Sequence, residues 1–331
     1  MRSCLFSDWP GDFARSYFCN PFQAHLYSPA DERADVSMFD LVVQILTILA
    51  PAAILACIGV AWALSGNEYP IKFITNLITN VGMPALLFHT LTNSPVELAS
   101  LGIVFLASLL VQVIAVAGAI VLLKNAGKDW HLCVALVMGN TGNLGLPICY
   151  FAFGDVGLAY GMAYFSVQCV LMFSIGEAIL SGSSSVLPAL KSPILHSLWL
   201  AALVNYLGFE MPGFLSDTTK LLGQFVIPIM LITLGVSLAN LKVNNLSSTL
   251  KWSLIRTALA LATAYFVVIL LGLEGVAKGV VILETVMPVA VFNFLLAVRH
   301  NRDSVEISGL ILVTHLSAIF YLPILLALLL A

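Results

Sequence analysis

Charge is what this chain has least of. Only 9% of its 331 residues are Asp, Glu, Lys or Arg, while 60% are hydrophobic; a soluble domain carries charge on about a quarter of its residues. That deficit excludes an ordinary water-soluble fold and leaves a polytopic, all-α membrane protein. Its 14 basic and 17 acidic residues, net −3, form no basic patch, so the lipid bilayer and not nucleic acid is the expected surroundings. Cysteine is sparse and scattered: Cys4, Cys19, Cys57, Cys133, Cys149 and Cys169 make no CxxC and no Cys/His cluster. They read as small buried apolar residues, with no metal centre and no cofactor. GxSxG and HExxH are also missing, and the single Gly154-Asp155 pair falls in a loop, which argues against an intramembrane enzyme. A sensor or receptor built on a carrier fold is the other alternative; a soluble signalling domain would be expected with it, and none is seen in the sequence.

Residues 1–37 hold no apolar run of signal-peptide length and no helical period. They read as a disordered tail or a mis-annotated start, with translation beginning at Met38; the mass of the natively expressed protein distinguishes the two.

From Phe39 on, long apolar runs dominate. A hydrocarbon core of about 30 Å takes roughly 20 apolar residues per helix, and polar punctuation divides the chain into ten such segments, near 41–64, 70–91, 97–123, 129–153, 156–180, 193–209, 221–240, 252–272, 276–298 and 305–330. Basic residues orient them, because Lys and Arg stay on the cytoplasmic side. Lys72, Lys124, Lys128, Lys191, Lys242, Lys251, Arg299 and Arg302 follow odd-numbered segments; only Lys220 and Lys278 follow even-numbered ones. Odd loops are therefore expected in the cytoplasm of a cell (inner) membrane protein, with both termini outside.

Prolines recur at nearly one spacing: Pro51 and Pro193, Pro70 and Pro212 (142 residues), Pro84 and Pro228 (144), Pro147 and Pro288 (141). The text around them agrees, LITNVGMPALLFHTL against LLGQFVIPIMLITLG. This spacing maps segments 1–5 onto 6–10, and an odd number of spans inverts the copy. The expected organisation is a first five-helix repeat over 38–180, a short cytoplasmic linker over 181–192 and an inverted second repeat over 193–331.

Two segments interrupt themselves. GNTGNLGLP, Gly139 to Pro147, places three glycines, two asparagines and a proline inside segment 4; LETVMPVAVFN carries Glu284, Pro288 and Asn293 into segment 9. Unpaired backbone groups in hydrocarbon cost several kcal/mol, so such breaks occur where protein buries them or where they line a cavity. Broken helices 4 and 9 crossing at these points would aim half-helix N-termini, which carry partial positive charge, at a shared site suited to an anion. Asn140, Thr141, Gly142, Asn143, Gly145, Pro147, Pro288 and Asn293 are the substrate-binding or crossover candidates, and Glu284 the coupling residue for a proton, or for a sodium ion. Gln168, His315 and Glu177 are weaker candidates. His89, Gln112 and Asn205 read as interhelical hydrogen bonders, Met83, Met138 and Met287 as packing. Arg256, a turn or so into segment 8, reads as an interface marker. The bland reading of the breaks is that their polar groups merely satisfy one another at a kink.

GNTGNLGLP, MPVAVFN and the single prolines of segments 1, 2 and 7 resemble the auxin efflux carrier family, especially its compact, malonate transporter-like bacterial members within the bile/arsenite/riboflavin transporter superfamily; the resemblance spans Met38 to Ala331. It implies a secondary carrier of small organic anions, moving by alternating access of the elevator type. Segments 1, 2, 6 and 7 would form a scaffold, with a homodimer through it as a further expectation, and segments 3–5 and 8–10 a transport unit. The family's crossover residues fall here on Asn140, Asn143, Pro147 and Pro288. Related sodium symporters bind sodium around a glutamate placed like Glu284, but this chain has Pro288 where they commonly put a polar ligand. The long cytoplasmic loop of the plant members is reduced here to Ser181–Ser192.

Overall fold

The computed structural model describes residues 38–94, 96–181, 192–209, 211–302 and 304–330. The tail 1–37 and nearly all of the linker 181–192 lie outside them. Among the described residues the protein is all-helical, and seven helical runs are long and apolar enough to cross a membrane. The helices are α1 (Met38–Leu64), α2 (Ile71–Leu77), α3 (Met83–Thr92), α4 (Leu98–Asn125), α5 (Leu132–Val137), α6 (Leu146–Leu171), α7 (Glu177–Ser181), α8 (Pro193–Leu207), α9 (Gly213–Gln224), α10 (Val226–Ala239), α11 (Leu246–Leu271), α12 (Gly275–Val286), α13 (Phe292–Arg299) and α14 (Ser304–Leu330). Single π-helical turns, Ile78–Gly82, Thr141–Gly145 and Met172–Gly176, join α2 to α3, lead into α6 and join α6 to α7.

The apolar run Thr141–Leu180 is 40 residues long, about 60 Å if it were one helix, twice the hydrocarbon core. Gly154 resolves this. Its φ of 62° and ψ of −150° belong to a region essentially reserved for glycine, and the chain folds back there. Gly157 abuts Cys149 and Phe153, Gly161 faces Leu146 and Cys149, and Gly142 faces Phe165. Residue numbers on the two arms thus fall as they rise, as in an antiparallel hairpin. The turn lies between expected segments 4 and 5, where loop residues were expected. Segment 9 is two short helices, α12 and α13; segment 8 ends on Gly272, φ 61°, with only Leu273 and Glu274 before α12.

The heaviest packing divides the helices into two groups, which meet where α1, α3 and α8 pack on α6 and α1 packs on α14. In the first, α1 packs on α10, and α3 on α8 and α9. Gly59 faces Ile232 and Val236 of α10 while Gly235 faces Ala56 and Val60 of α1, so these helices cross with backbones touching. Without a hydrophobic force between helices in lipid, such small-residue seams supply the packing. Tyr69 Oη and Thr233 Oγ1 (2.6 Å) and the bond from Asn205 Nδ2 to Leu91 O (2.9 Å) join the same group. In the second group α6 packs on α4 and α12, and α11 on α4, α12 and α14. Its bonds include Ser108 Oγ to Tyr164 O (3.0 Å) and the Lys128–Glu306 ion pair (2.6 Å).

The glycine seam yields a prediction. A side chain at Gly235 would strike the α1 backbone, so Gly235→Val is expected to cost about 1–3 kcal/mol or more, lowering the thermal midpoint in detergent. Gly102→Ala, which meets open space, should leave it unchanged. An unshifted Gly235→Val would contradict the close α1–α10 contact.

Candidate functional site

Between α5 and α6, and between α12 and α13, the backbone leaves the helix. Met138 is extended (φ −77°, ψ 100°) and so is Met287 (φ −51°, ψ 143°). The two extended pieces cross antiparallel, with Gly139 opposite Val289. Asn140 N donates to Pro288 O (2.6 Å), and Ala290 N donates to Met138 O (3.1 Å).

A helix end leaves carbonyls without intrahelical partners, and here they are taken up one by one. Val286 O accepts from Tyr321 Oη of α14 (2.7 Å), Met287 O from Arg256 Nη2 of α11, and Pro288 O from Asn140. On the other strand Met138 O also accepts from Asn293 Nδ2 (3.1 Å), and Gly139 O from Gln168 Nε2 (2.7 Å). Gln168 Nε2 further reaches Thr141 Oγ1 (2.8 Å), and its Oε1 accepts from Gln112 Nε2 (3.1 Å). Val289 N donates to Thr314 Oγ1 (3.1 Å). His315 Nδ1 lies 2.8 Å from Ile311 O and its Nε2 3.1 Å from Asn140 Nδ2; with a proton on Nδ1, Nε2 accepts from the Asn140 amide.

Beside the crossing lies a cavity of about 150 Å³. One wall comes from the second helix group: Gly139 to Asn143, Phe165, Gln168 and Ala290 to Phe292. The other comes from the first group, including Thr75, Thr79, Met230, Thr233 and Ser237. Both post-crossing segments therefore begin at the cavity. Leu144 N and Gly145 N are the first amides to bond back to Asn140 O, so Thr141, Gly142 and Asn143 hold the orphan-donor positions of a helix start. The Asn143 side chain, half-buried, makes no hydrogen bond among the described residues.

The expected site residues thus separate. Asn140, Thr141, Gly142, Asn143 and Gln168 line the cavity. Pro288, Asn293 and His315 hold the crossing together. Pro147 stands in the first turn of α6, beyond the crossing, and the backbone pairs Gly139 with Val289 instead of aligning Pro147 with Pro288. Gly145 packs on Glu284, as does Gly161 from the other arm of the hairpin. Glu284 itself is fully buried; Oε1 meets Cys149 Sγ at 3.4 Å and Oε2 has no partner. The side chain of Glu177 lies outside the described residues. His89 bonds within its own helix end, to Asn93.

Arg256 is the correction. Its place near the start of a span suggests a membrane interface, yet it is 0% exposed and sits at the crossing, with Nη2 on Met287 O and Nε and Nη1 unpartnered. Helical periodicity cannot reveal this, since the partner is a backbone carbonyl freed only by the break in another helix. A lone arginine in a long apolar run was the available signal.

Comparison with known proteins points to membrane transport. Residues 179–326 match the model of a family described as "Membrane transport protein". The chain is similar to an "uncharacterized transporter" of Methanocaldococcus jannaschii, 26% identical over 270 residues, covering 75% of this chain and 86% of that one. It is also similar to one of Methanothermobacter thermautotrophicus, 25% identical over 300 residues, 86% of this chain and 96% of the relative. Apolar spanning helices and these matches define an integral membrane transporter. Over its second half the chain is thus similar to the membrane transport protein family, that of the auxin efflux carriers.

The hydrogen bonding makes Gln168 the prop of the first break. Gln168→Leu leaves Gly139 O without its donor and is expected to destabilise by about 1–3 kcal/mol, read as a lower thermal midpoint in detergent. Gln112→Leu should cost less, because Gln112 Oε1 already lacks a partner. Equal midpoints for Gln168→Leu and wild type would contradict the role.

Proposed function

We propose that this protein is a secondary carrier of small organic anions that binds its substrate in the cavity at the crossing. The observation that carries this reading is the start of two helical segments, Thr141–Gly145 and Phe292–Arg299, at one cavity between two helix groups. Helix starts attract carboxylates through their amides and partial positive charge, and Asn143 offers a donor not spent elsewhere. The volume, about 150 Å³, is below the 300–1,000 Å³ of drug-sized sites, which favours short carboxylates of the malonate kind over indole acids.

The mechanism follows from the two groups. The helices of segments 1, 2, 6 and 7 would act as the scaffold, those of 3–5 and 8–10 as an elevator-like transport unit, in a ten-span, inverted-repeat arrangement with odd loops in the cytoplasm of the cell membrane. Long-range hydrogen bonds lie within each group, as from Asn205 to Leu91 in one and from Gln168 to Gly139 in the other. Shear would then occur at the boundary where the cavity sits, which α1, α3 and α8 cross by packing on α6. Glu284, buried between the arms of the hairpin without a cation partner among the described residues, would carry the coupling proton; an unpaired carboxylate there costs several kcal/mol, so proton uptake and release can bias the transport unit.

In proteoliposomes, uptake and counterflow with mono-, di- and indole carboxylates under imposed proton or sodium gradients test this. Short carboxylates driven by a proton gradient are expected; transport of none of these acids would refute the anion reading. Glu284→Gln should abolish gradient-driven accumulation while expression is kept, and Asn143→Ala should raise KM about tenfold, the value of one lost hydrogen bond to a charged ligand. Wild-type coupling in Glu284→Gln would remove that residue from the mechanism.

A further inference from the structure

Arg256 has no part in the binding or coupling steps above, yet it is the largest fully buried side chain and the structure spends a membrane-embedded cation on it. Its single described bond, Nη2 to Met287 O, leaves Nε and Nη1 without partners, and no carboxylate lies within ion-pair distance of it among the described residues. An interior guanidinium is ordinarily matched by an acid, because an unmatched buried charge is costly. What adjoins it is Gly139: a β-carbon there would lie 3.1 Å from Nη2, and Gly139 also forms part of the cavity wall. One glycine backbone, with no side chain, therefore separates an uncompensated positive charge from the cavity. In surroundings of low polarity such a charge acts through the wall without contact.

We propose that Arg256 is the built-in counter-charge of the transported anion: it fixes the preference for negatively charged solutes from behind the crossing, without touching them. This rests on the anion-carrier reading and adds what that reading lacks, a residue that discriminates by charge. Arginine suits the place because its guanidinium holds its charge where lysine would yield it more readily. Gly139 suits it because a side chain there would crowd both the guanidinium and Met287 O, each 3.1 Å from a β-carbon. Arg256 is thus a positioning residue, and its removal should change selectivity more than capacity.

The test compares wild type, Arg256→Lys and Arg256→Met in proteoliposomes, with malonate and its uncharged diamide as probes and thermal midpoints in detergent as the check on folding. Arg256→Met is expected to raise KM for malonate at least about tenfold while the diamide is handled no worse, so the preference for the charged probe collapses. Arg256→Lys should restore part of it. A folded Arg256→Met with wild-type KM and preference would overturn the proposal and leave the carrier reading intact. A wild type that takes up no carboxylate would instead sink both. Should Arg256→Met fail to fold, Arg256→Gly with added methylguanidinium decides: malonate uptake that rises with the additive supports the counter-charge, and uptake indifferent to it overturns it.

Discussion

Two pieces of buried backbone that pair with each other hold the centre of this protein together. Asn140 N on Pro288 O and Ala290 N on Met138 O turn two potentially ruinous helix breaks into one antiparallel contact, and the groups that this contact leaves over are taken up by Tyr321, Arg256, Asn293, Gln168 and Thr314. Each of those side chains comes from another helix or from beyond the break. The crossing thereby fixes how α6, α11, α13 and α14 must sit, and a polar network of this kind is worth having only when nearly every member is satisfied. Among the described residues, buried side-chain atoms without a partner lie on Gln112, Arg256, Glu284 and Asn293, and two of these, Arg256 and Asn293, bond to the crossing itself.

The cavity follows from the same constraint. A helix that stops must start again, and its first amides have no partner behind them. Because the two segments restart side by side, their starts converge where the second helix group meets the first. The first group presents mostly methyl-bearing and hydroxyl side chains there, Thr75, Thr79, Met230, Thr233 and Ser237, and is welded internally by the Gly59–Gly235 seam. Rigid packing on one side and a polar crossing on the other make a cavity whose backbone amides and carboxamides come from one group and whose second wall belongs to the other.

Much of this was legible in the sequence, and the reasons are specific. Three glycines, two asparagines and a proline inside an apolar run have no account except irregular backbone, so the stretch from Gly139 to Pro147 betrayed the first break, and Pro288 the second. The spans of α1, α4, α11 and α14 follow from apolar length alone. What escaped was everything set by partners distant in sequence. Proline spacing aligned Pro147 with Pro288, but a proline in the first turn of a helix costs almost nothing and need not mark the break; the backbone leaves the helix at Met138. Arg256 looked like an interface residue because its position in the run was visible and its partner, Met287 O, was not. Gln168 and His315 were singled out as polar groups in membrane helices, but only the fold shows one lining the cavity and the other holding Asn140.

The account stands on the crossing being the substrate site. Its most direct test is an experimental structure of the wild-type protein in lipid nanodiscs with a saturating short dicarboxylate such as malonate. The account predicts density for the acid beside the crossing, with one carboxylate at the amides of Thr141 to Asn143 and within reach of the Asn143 side chain. An acid bound elsewhere, with the cavity between Asn143 and Val291 holding only water, would contradict it.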